Sequence, residues 1–184
     1  MKLIEVTDRY INYMKQFFYK TMLDNKENYR KNTRKYLGII ISINGINYFA
    51  PLSSPKKSDY DLNGEIKKST SIVLRMVKDY NNKPQLLGTI KLNNMIPIPD
   101  SEIIQYNFNI EPNNKYKNLI IDELYWIQRN TRKIRKAAKT LYNLKINEAN
   151  NINSNNEKFY KSITPFKEAE IKCIEFNKSQ NYIM

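Results

Sequence analysis

Histidine does not occur in the sequence, which removes the usual acid–base side chain and the commonest metal ligand. Any chemistry is left to Lys, Tyr, Ser, Thr or carboxylates. Cys173 is the single cysteine, so neither an intramolecular disulfide nor a cysteine metal site can form, as suits a reducing compartment. An apolar run of about eighteen residues is missing, and so is a signal-peptide pattern of basic start, apolar core and small-residue cleavage site. The expectation is a cytoplasmic protein with no membrane partner. Glycine occurs four times, never between Gly45 and Gly64, which excludes a Gly-rich phosphate loop in that stretch. Acidic residues are also short: 18 Asp plus Glu stand against 31 Lys plus Arg, a formal net charge of +13.

A charge of that size makes the surface potential positive over much of the molecule and points to a polyanion partner, nucleic acid or an anionic membrane face. The 14 tyrosines favour nucleic acid, since aromatic rings stack on unpaired bases. At 184 residues the chain is long enough for one full hydrophobic core but not for two ordinary domains, so a single domain over residues 1–184 is expected.

The stretch around which the chain is organised runs from Tyr36 to Lys57, YLGIIISINGINYFAPLSSPKK. Two apolar runs rich in β-branched residues flank Asn44-Gly45, the dipeptide that best supplies the positive φ angles of a two-residue type I′ turn. The second strand of this hairpin runs into Ser53-Ser54-Pro55-Lys56-Lys57. Pro55 fixes its own φ and keeps Ser54 out of the helical region, so the corner is stiff. Two hydroxyl donors and a cation held there can grip a phosphate and stabilise charge that develops on it. An exposed polar turn with solvated lysines has the same composition.

Elsewhere, Lys2 to Val6 reads as a strand, and Thr7 caps an amphipathic helix carrying Tyr10, Ile11, Met14, Phe17 and Phe18. Met22 to Lys35 is polar and basic, with Tyr29 among Arg30, Lys31 and Arg34, which suits either a solvated connection or an RNA contact. Strands are expected over Ser69–Lys78 and Gln85–Leu92, with a turn at Asn81–Pro84. Asn93–Pro99 should leave the sheet as an extended segment because two prolines forbid a helix. Ser101–Ile110 should add a short edge strand. From Asn113 the apolar period becomes helical, and Asn130-Thr131 reads as a cap dividing Asn113–Arg129 from Thr131–Asn147. Glu148–Glu157 reads as a loop. Pro165 opens a last short helix whose apolar face is Phe166, Ala169, Ile171, Cys173 and Ile174.

Three segments in this order, Arg34-Lys35-Tyr36-Leu37-Gly38-Ile39, Gly45 to Lys57 with YFAPLSSPK, and Leu87-Gly88 to Ile98 with NNMIPI, resemble the ToxN/AbiQ family of type III toxin–antitoxin endoribonucleases. The resemblance covers roughly residues 1–145. It implies an α+β fold: a strongly bent antiparallel sheet core related to that of the Kid and MazF toxins, surrounded by helices, with a long C-terminal helical segment. It also implies metal-independent and cofactor-free cleavage of cellular or phage mRNA. Inhibition would come from a repeat-derived small RNA antitoxin, processed by the toxin, whose pseudoknots alternate with toxin subunits in a closed ring, in addiction or in abortive infection against phage.

Carried over residue by residue, the family's hydroxyl-hydroxyl-Pro-Lys motif falls on Ser53, Ser54, Pro55 and Lys56. Ser53 stands where some relatives have threonine, and Lys35 where many have proline. The N-terminal tyrosine and following basic residue of the family correspond to Tyr29 and Arg34. The expected reaction is attack of a ribose 2′-hydroxyl on the adjacent phosphate, giving a 2′,3′-cyclic phosphate and a 5′-hydroxyl. Lys56 would neutralise the transition state, Ser53 and Ser54 would hold non-bridging oxygens, and Tyr29 is a candidate proton acceptor. Lys31, Lys57, Lys115, Lys117, Arg132, Lys133 and Lys136 are expected on RNA phosphates. A non-catalytic basic RNA-binding protein is the alternative, and a DNA-binding regulator using the helix from Thr131 a more remote one.

Overall fold

The computed structural model describes residues 2–23 and 34–181. Its centre is a hairpin of β2 (Tyr36–Ile43) and β3 (Ile46–Ser53), closed by Asn44 and Gly45 at φ 51° and 79°, the left-handed pair that a type I′ turn requires. The strand that precedes them, β1 (Leu3–Val6), leads into α1 (Asp8–Phe18), and the Thr7 hydroxyl accepts from Tyr10 N as its cap. A second hairpin, β4 (Val73–Tyr80) and β5 (Lys83–Lys91), turns on Asn81 and Asn82 at φ 49° and 59°. Then come β6 (Ile96–Pro97), β7 (Ile103–Gln105), α2 (Asn114–Ile146), α3 (Glu157–Lys161) and α4 (Phe166–Asn181).

The sheet has seven strands, antiparallel at every pairing, in the order β4-β5-β3-β2-β1-β7, with β6 also on β3. The β3 strand changes neighbours along its length. Tyr48 and Phe49 pair with β6, whereas Leu52 and Ser53 pair with Ile90 and Thr89 of β5. Alternation along β3 then divides the core. Tyr48, Ala50 and Leu52 join the cluster formed with α2 through Ile120, Ile127, Ile134, Ala138 and Leu141, while Phe49 joins Tyr10, Ile11 and Met14 of α1 and Ala169, Cys173 and Phe176 of α4. Period-two side-chain direction in the strand and a 3.6-period stripe on each helix account for the separation.

Several elements differ from the sequence expectation. The long helix is not divided: α2 runs for 33 residues. Asn130 Nδ2 donates to Trp126 O at 2.8 Å and Thr131 Oγ1 to Ile127 O at 3.0 Å, so both bond back into the preceding turn and cap nothing. The strand expected from Ser69 starts at Val73, because Val73 N donates to Thr70 Oγ1 at 3.1 Å and closes a turn. Asn93–Pro99 does not leave the sheet. After a 3₁₀ turn at Leu92–Asn94, Ile96 and Pro97 return to pair with Phe49 and Tyr48. The last helix is 16 residues long. Phe166, Ala169, Cys173 and Phe176 face inward, whereas Ile171 and Ile174 are exposed. The expected loop after Asn147 holds a 3₁₀ turn at Glu148–Asn150 and leads directly into α3. No helix among the described residues is long and apolar enough to cross a membrane.

Candidate active site

The β2–β3 register sets Tyr36 against Pro51, which carries Arg34 to a position opposite Ser53, the last residue of β3. Arg34 is 2% exposed, and its Nη1 donates to Leu52 O and to Ser53 Oγ, both at 3.1 Å. An arginine beside a serine hydroxyl fixes the lone pairs and leaves the hydroxyl hydrogen to donate elsewhere. Arg34 therefore stands behind Ser53 as its orienting group rather than at the surface. Lys35, its neighbour, is buried as well, with its ammonium paired to Glu5 and 4.0 Å from the centre of the Tyr106 ring.

Beyond Ser53 the chain turns outward: Ser54, Lys56 and Lys57 are exposed and Pro55 partly so. The corner is braced from below by Asp59. Its Oδ2 accepts from Lys56 N at 3.0 Å, and Asp59 N donates to Lys56 O at 2.9 Å. Its Oδ1 meets Arg75 Nη2 at 3.0 Å, with both side chains less than a tenth exposed. Arg75 comes from β4 and also donates to Lys68 O at 2.7 Å.

Cross-strand pairing adds residues that the sequence reading left inside plain strands. Ser53 faces Thr89, and Thr89 faces Arg75, so the three share one face of the sheet, as does Lys91 two residues along β5. Thr89 is fully buried, and its Oγ1 has no partner among the described residues. The Lys91 amine is half-buried and held below its ordinary value, first by burial and then by Lys56, Arg75 and Arg34, against the opposing pull of Asp59. The available signal was a charged residue in each of two otherwise apolar runs, LRMV and LLGTIK.

Behind the same strand pair lies Glu123 of α2. A Cβ built on Gly88 would stand 2.6 Å from Glu123 Oε1 and 3.0 Å from Ser53 O, so glycine is what lets helix and strand approach. Burial alone pushes the Glu123 carboxyl up to about 8.

The remaining expected residues are dispersed. Tyr29 and Lys31 lie outside the described residues. Lys57 begins the 3₁₀ turn at the corner. Lys115 and Lys117 sit in the first turn of α2, and Arg132, Lys133 and Lys136 are exposed further along it. Lys133 and Lys136 line a cavity of about 290 Å³ with Ser71, Leu141, Leu144 and Phe159, a place that shares no residue with the corner. Among the described residues no group of three or more His, Cys, Asp or Glu is arranged to hold a metal ion.

The chain is 33% identical over 145 residues to Endoribonuclease ToxN of Pectobacterium atrosepticum, covering 78% of this chain and 81% of the relative. It is 29% identical over 184 residues to Endoribonuclease AbiQ of Lactococcus lactis subsp. lactis, covering 99% and 92%. A solved structure from a bacterial antiviral system regulated by a processed non-coding RNA matches with a TM-score of 0.78 and 28% identity over 95% of this chain and 98% of its own. A family model for toxin ToxN of the type III toxin–antitoxin system matches residues 2–170, and the chain belongs to that family.

Proposed function

We propose that this toxin is an endoribonuclease whose reaction takes place at the corner that follows β3. The observation that carries the reading is the Arg34 to Ser53 hydrogen bond at 3.1 Å, which presents one hydroxyl beside the exposed Ser54 and Lys56 on a segment tied down by Asp59. In-line attack by the ribose 2′-oxygen on the neighbouring phosphorus forms the cyclic ester while the bond to the 5′-oxygen breaks. Ser53 and Ser54 donate to the non-bridging oxygens, and Lys56 neutralises the added charge and passes a proton to the departing 5′-oxygen. The products are a 2′,3′-cyclic phosphate and a 5′-hydroxyl, and no external water is consumed.

The regulatory partner in this reading is a small antitoxin RNA of pseudoknot repeats, processed by the toxin and closed into a ring with it, and the substrate is cellular or phage mRNA. The involvement of a processed non-coding RNA in the structurally similar antiviral system and the net charge of +13 both support a bound polyanion. The test is a cleavage assay with mapped product ends, run on the wild type, Ser54→Ala and Lys56→Ala. Loss of one such donor costs about 10²–10³ in rate, so each variant should keep its circular dichroism and lose both cleavage and growth arrest. A folded variant that arrests growth at full strength refutes the assignment, and RNA binding without cleavage by the wild type leaves a non-catalytic RNA-binding protein.

A further inference from the structure

An in-line attack needs a group to remove the 2′-hydroxyl proton; Ser53, Ser54 and Lys56 do not supply it, and Tyr29, the candidate read from the sequence, lies outside the described residues. The sequence has no histidine, and among the described residues the reaction corner offers no carboxylate that is free to serve. Asp59 is buried and already committed to Lys56 N and to Arg75.

The strand register supplies another group. Leu52, Ile90 and Leu74 point into the core shared with α2. Ser53, Thr89, Arg75 and Lys91 therefore line the opposite face, in the order fixed by Ser53↔Thr89, Arg75↔Thr89 and Val73↔Lys91. Lys91 ends β5 between the fully buried Ile90 and Leu92, so its stem is held while its amine lies on the face that Ser53 reaches. Among the described residues it makes no ion pair and no hydrogen bond, unlike Lys35, Lys78 and Lys145, each of which pairs with a carboxylate. Beside it, Thr89 Oγ1 is buried without a partner among the described residues, a polar atom that faces Ser53 and stands two residues from Lys91.

We infer that Lys91 is a catalytic residue of the cleavage reaction, the amine that accepts the 2′-hydroxyl proton. The inference rests on the corner being the ribonuclease site. In the step, the lone pair of neutral Lys91 Nζ takes the proton from O2′, O2′ bonds to phosphorus, the phosphorus to O5′ bond breaks, and O5′ takes a proton from the Lys56 ammonium. The cycle ends with Lys91 charged and Lys56 neutral, and exchange with solvent resets both. Arg34 from the segment before β2, Lys56 from the corner and Arg75 from β4 oppose a fourth positive charge, whereas Asp59 favours the ammonium and is itself engaged by Arg75. Burial and these three cations together shift Lys91 toward the neutral amine relative to a free lysine. Two lysines in one site then differ in environment, one exposed and one half-buried, as an acid and a base must.

The test is single-turnover cleavage as a function of pH, with the substrate and product ends mapped for the wild type, by wild type, Lys91→Arg and Lys91→Ala. Lys91→Arg keeps a charged side chain that never deprotonates. It should bind RNA as the wild type does and cleave at least about 10²-fold more slowly at neutral pH, the usual contribution of a positioned base. Lys91→Ala should lose rate similarly and regain it when small primary amines are added, in proportion to the free-base fraction of the amine. A wild-type rate in either variant overturns the inference. So does a loss in Lys91→Ala that no amine restores while the alkaline limb of the residual pH profile stays where the wild type has it. If Ser54→Ala and Lys56→Ala also cleave normally, the site itself is misplaced. If those two fail while both Lys91 variants cleave normally, only the role of Lys91 falls.

Discussion

Replacing Glu123 by Gln should make the protein more stable at neutral pH, and the gain should grow with pH in a calculable way. Glu123 is 5% exposed, packs its carboxyl against Gly88, and has its pKa raised from 4.5 to about 8 by burial, with no neighbouring charge opposing the shift. In the unfolded chain the group ionises near its ordinary value, while in the folded protein it stays protonated until about pH 8. Between those two values the folded state binds the extra proton, so stability falls as pH rises, by about 1.4 kcal/mol per unit. At pH 7 the accumulated loss is about 3 kcal/mol, a large share of a typical folding free energy. Glutamine has nearly the same shape and no charge to lose, so this slope disappears. Urea unfolding of both proteins from pH 4.5 to 8.5 isolates the effect, because the other carboxylates cancel in the difference. The expected difference is near zero at the acid end, rises in favour of Gln, and levels off above about pH 8. A difference that is flat with pH, or a Gln variant less stable than wild type at pH 7.5, refutes the account of a carboxyl buried without a counter-charge.

Asp59→Asn should cost about 3–5 kcal/mol, because it leaves the buried Arg75 without its ion pair and offers one acceptor where Lys56 N and Arg75 use two; chemical denaturation measures the loss. Gly88→Ala should destabilise by at least about 2 kcal/mol, and combining it with Glu123→Ala should restore only part, since the new Cβ still meets Ser53 O at 3.0 Å; full restoration by the double variant would locate the strain in the side chain alone. RNA affinity should fall steeply with salt, and Lys133→Ala with Lys136→Ala should flatten the log–log slope by about 2 if both ammonium groups neutralise phosphates; an unchanged slope removes this helix face from the interface.

The parts of the fold that were legible in the sequence are those set by neighbours along the chain. Asn44-Gly45 announces its turn because two adjacent residues must both adopt positive φ, and both do. Thr7 announces α1 because an N-cap needs only the next turn of helix. Local rules misled at Asn130-Thr131. The same hydroxyl and amide that cap a helix start can bond back to carbonyls four residues earlier, and the buried stripe running through Ile127 and Ile134 decides between the two. Pro97 argues against a ladder because it lacks an N–H, yet a two-residue strand on β3 needs little from it.

The site divides along the same line. Ser53, Ser54, Pro55 and Lys56 are contiguous, so the motif and its stiffness show in the sequence alone. Arg34 was visible as a basic residue but not as the partner of Ser53, because that contact depends on the β2–β3 register across 19 residues. Asp59, Arg75, Thr89 and Lys91 are each unremarkable in their own segments and become a group only where β3 exchanges β6 for β5 at Leu52 and Ser53. That exchange also sets the place of the proposed reaction corner. A strand whose last two residues bond to a new neighbour brings three backbone segments to one point, and side chains from each of them surround a single serine. Cations collected from separate strands in this way repel one another, and that repulsion adds to burial in holding the half-buried Lys91 amine below its ordinary value.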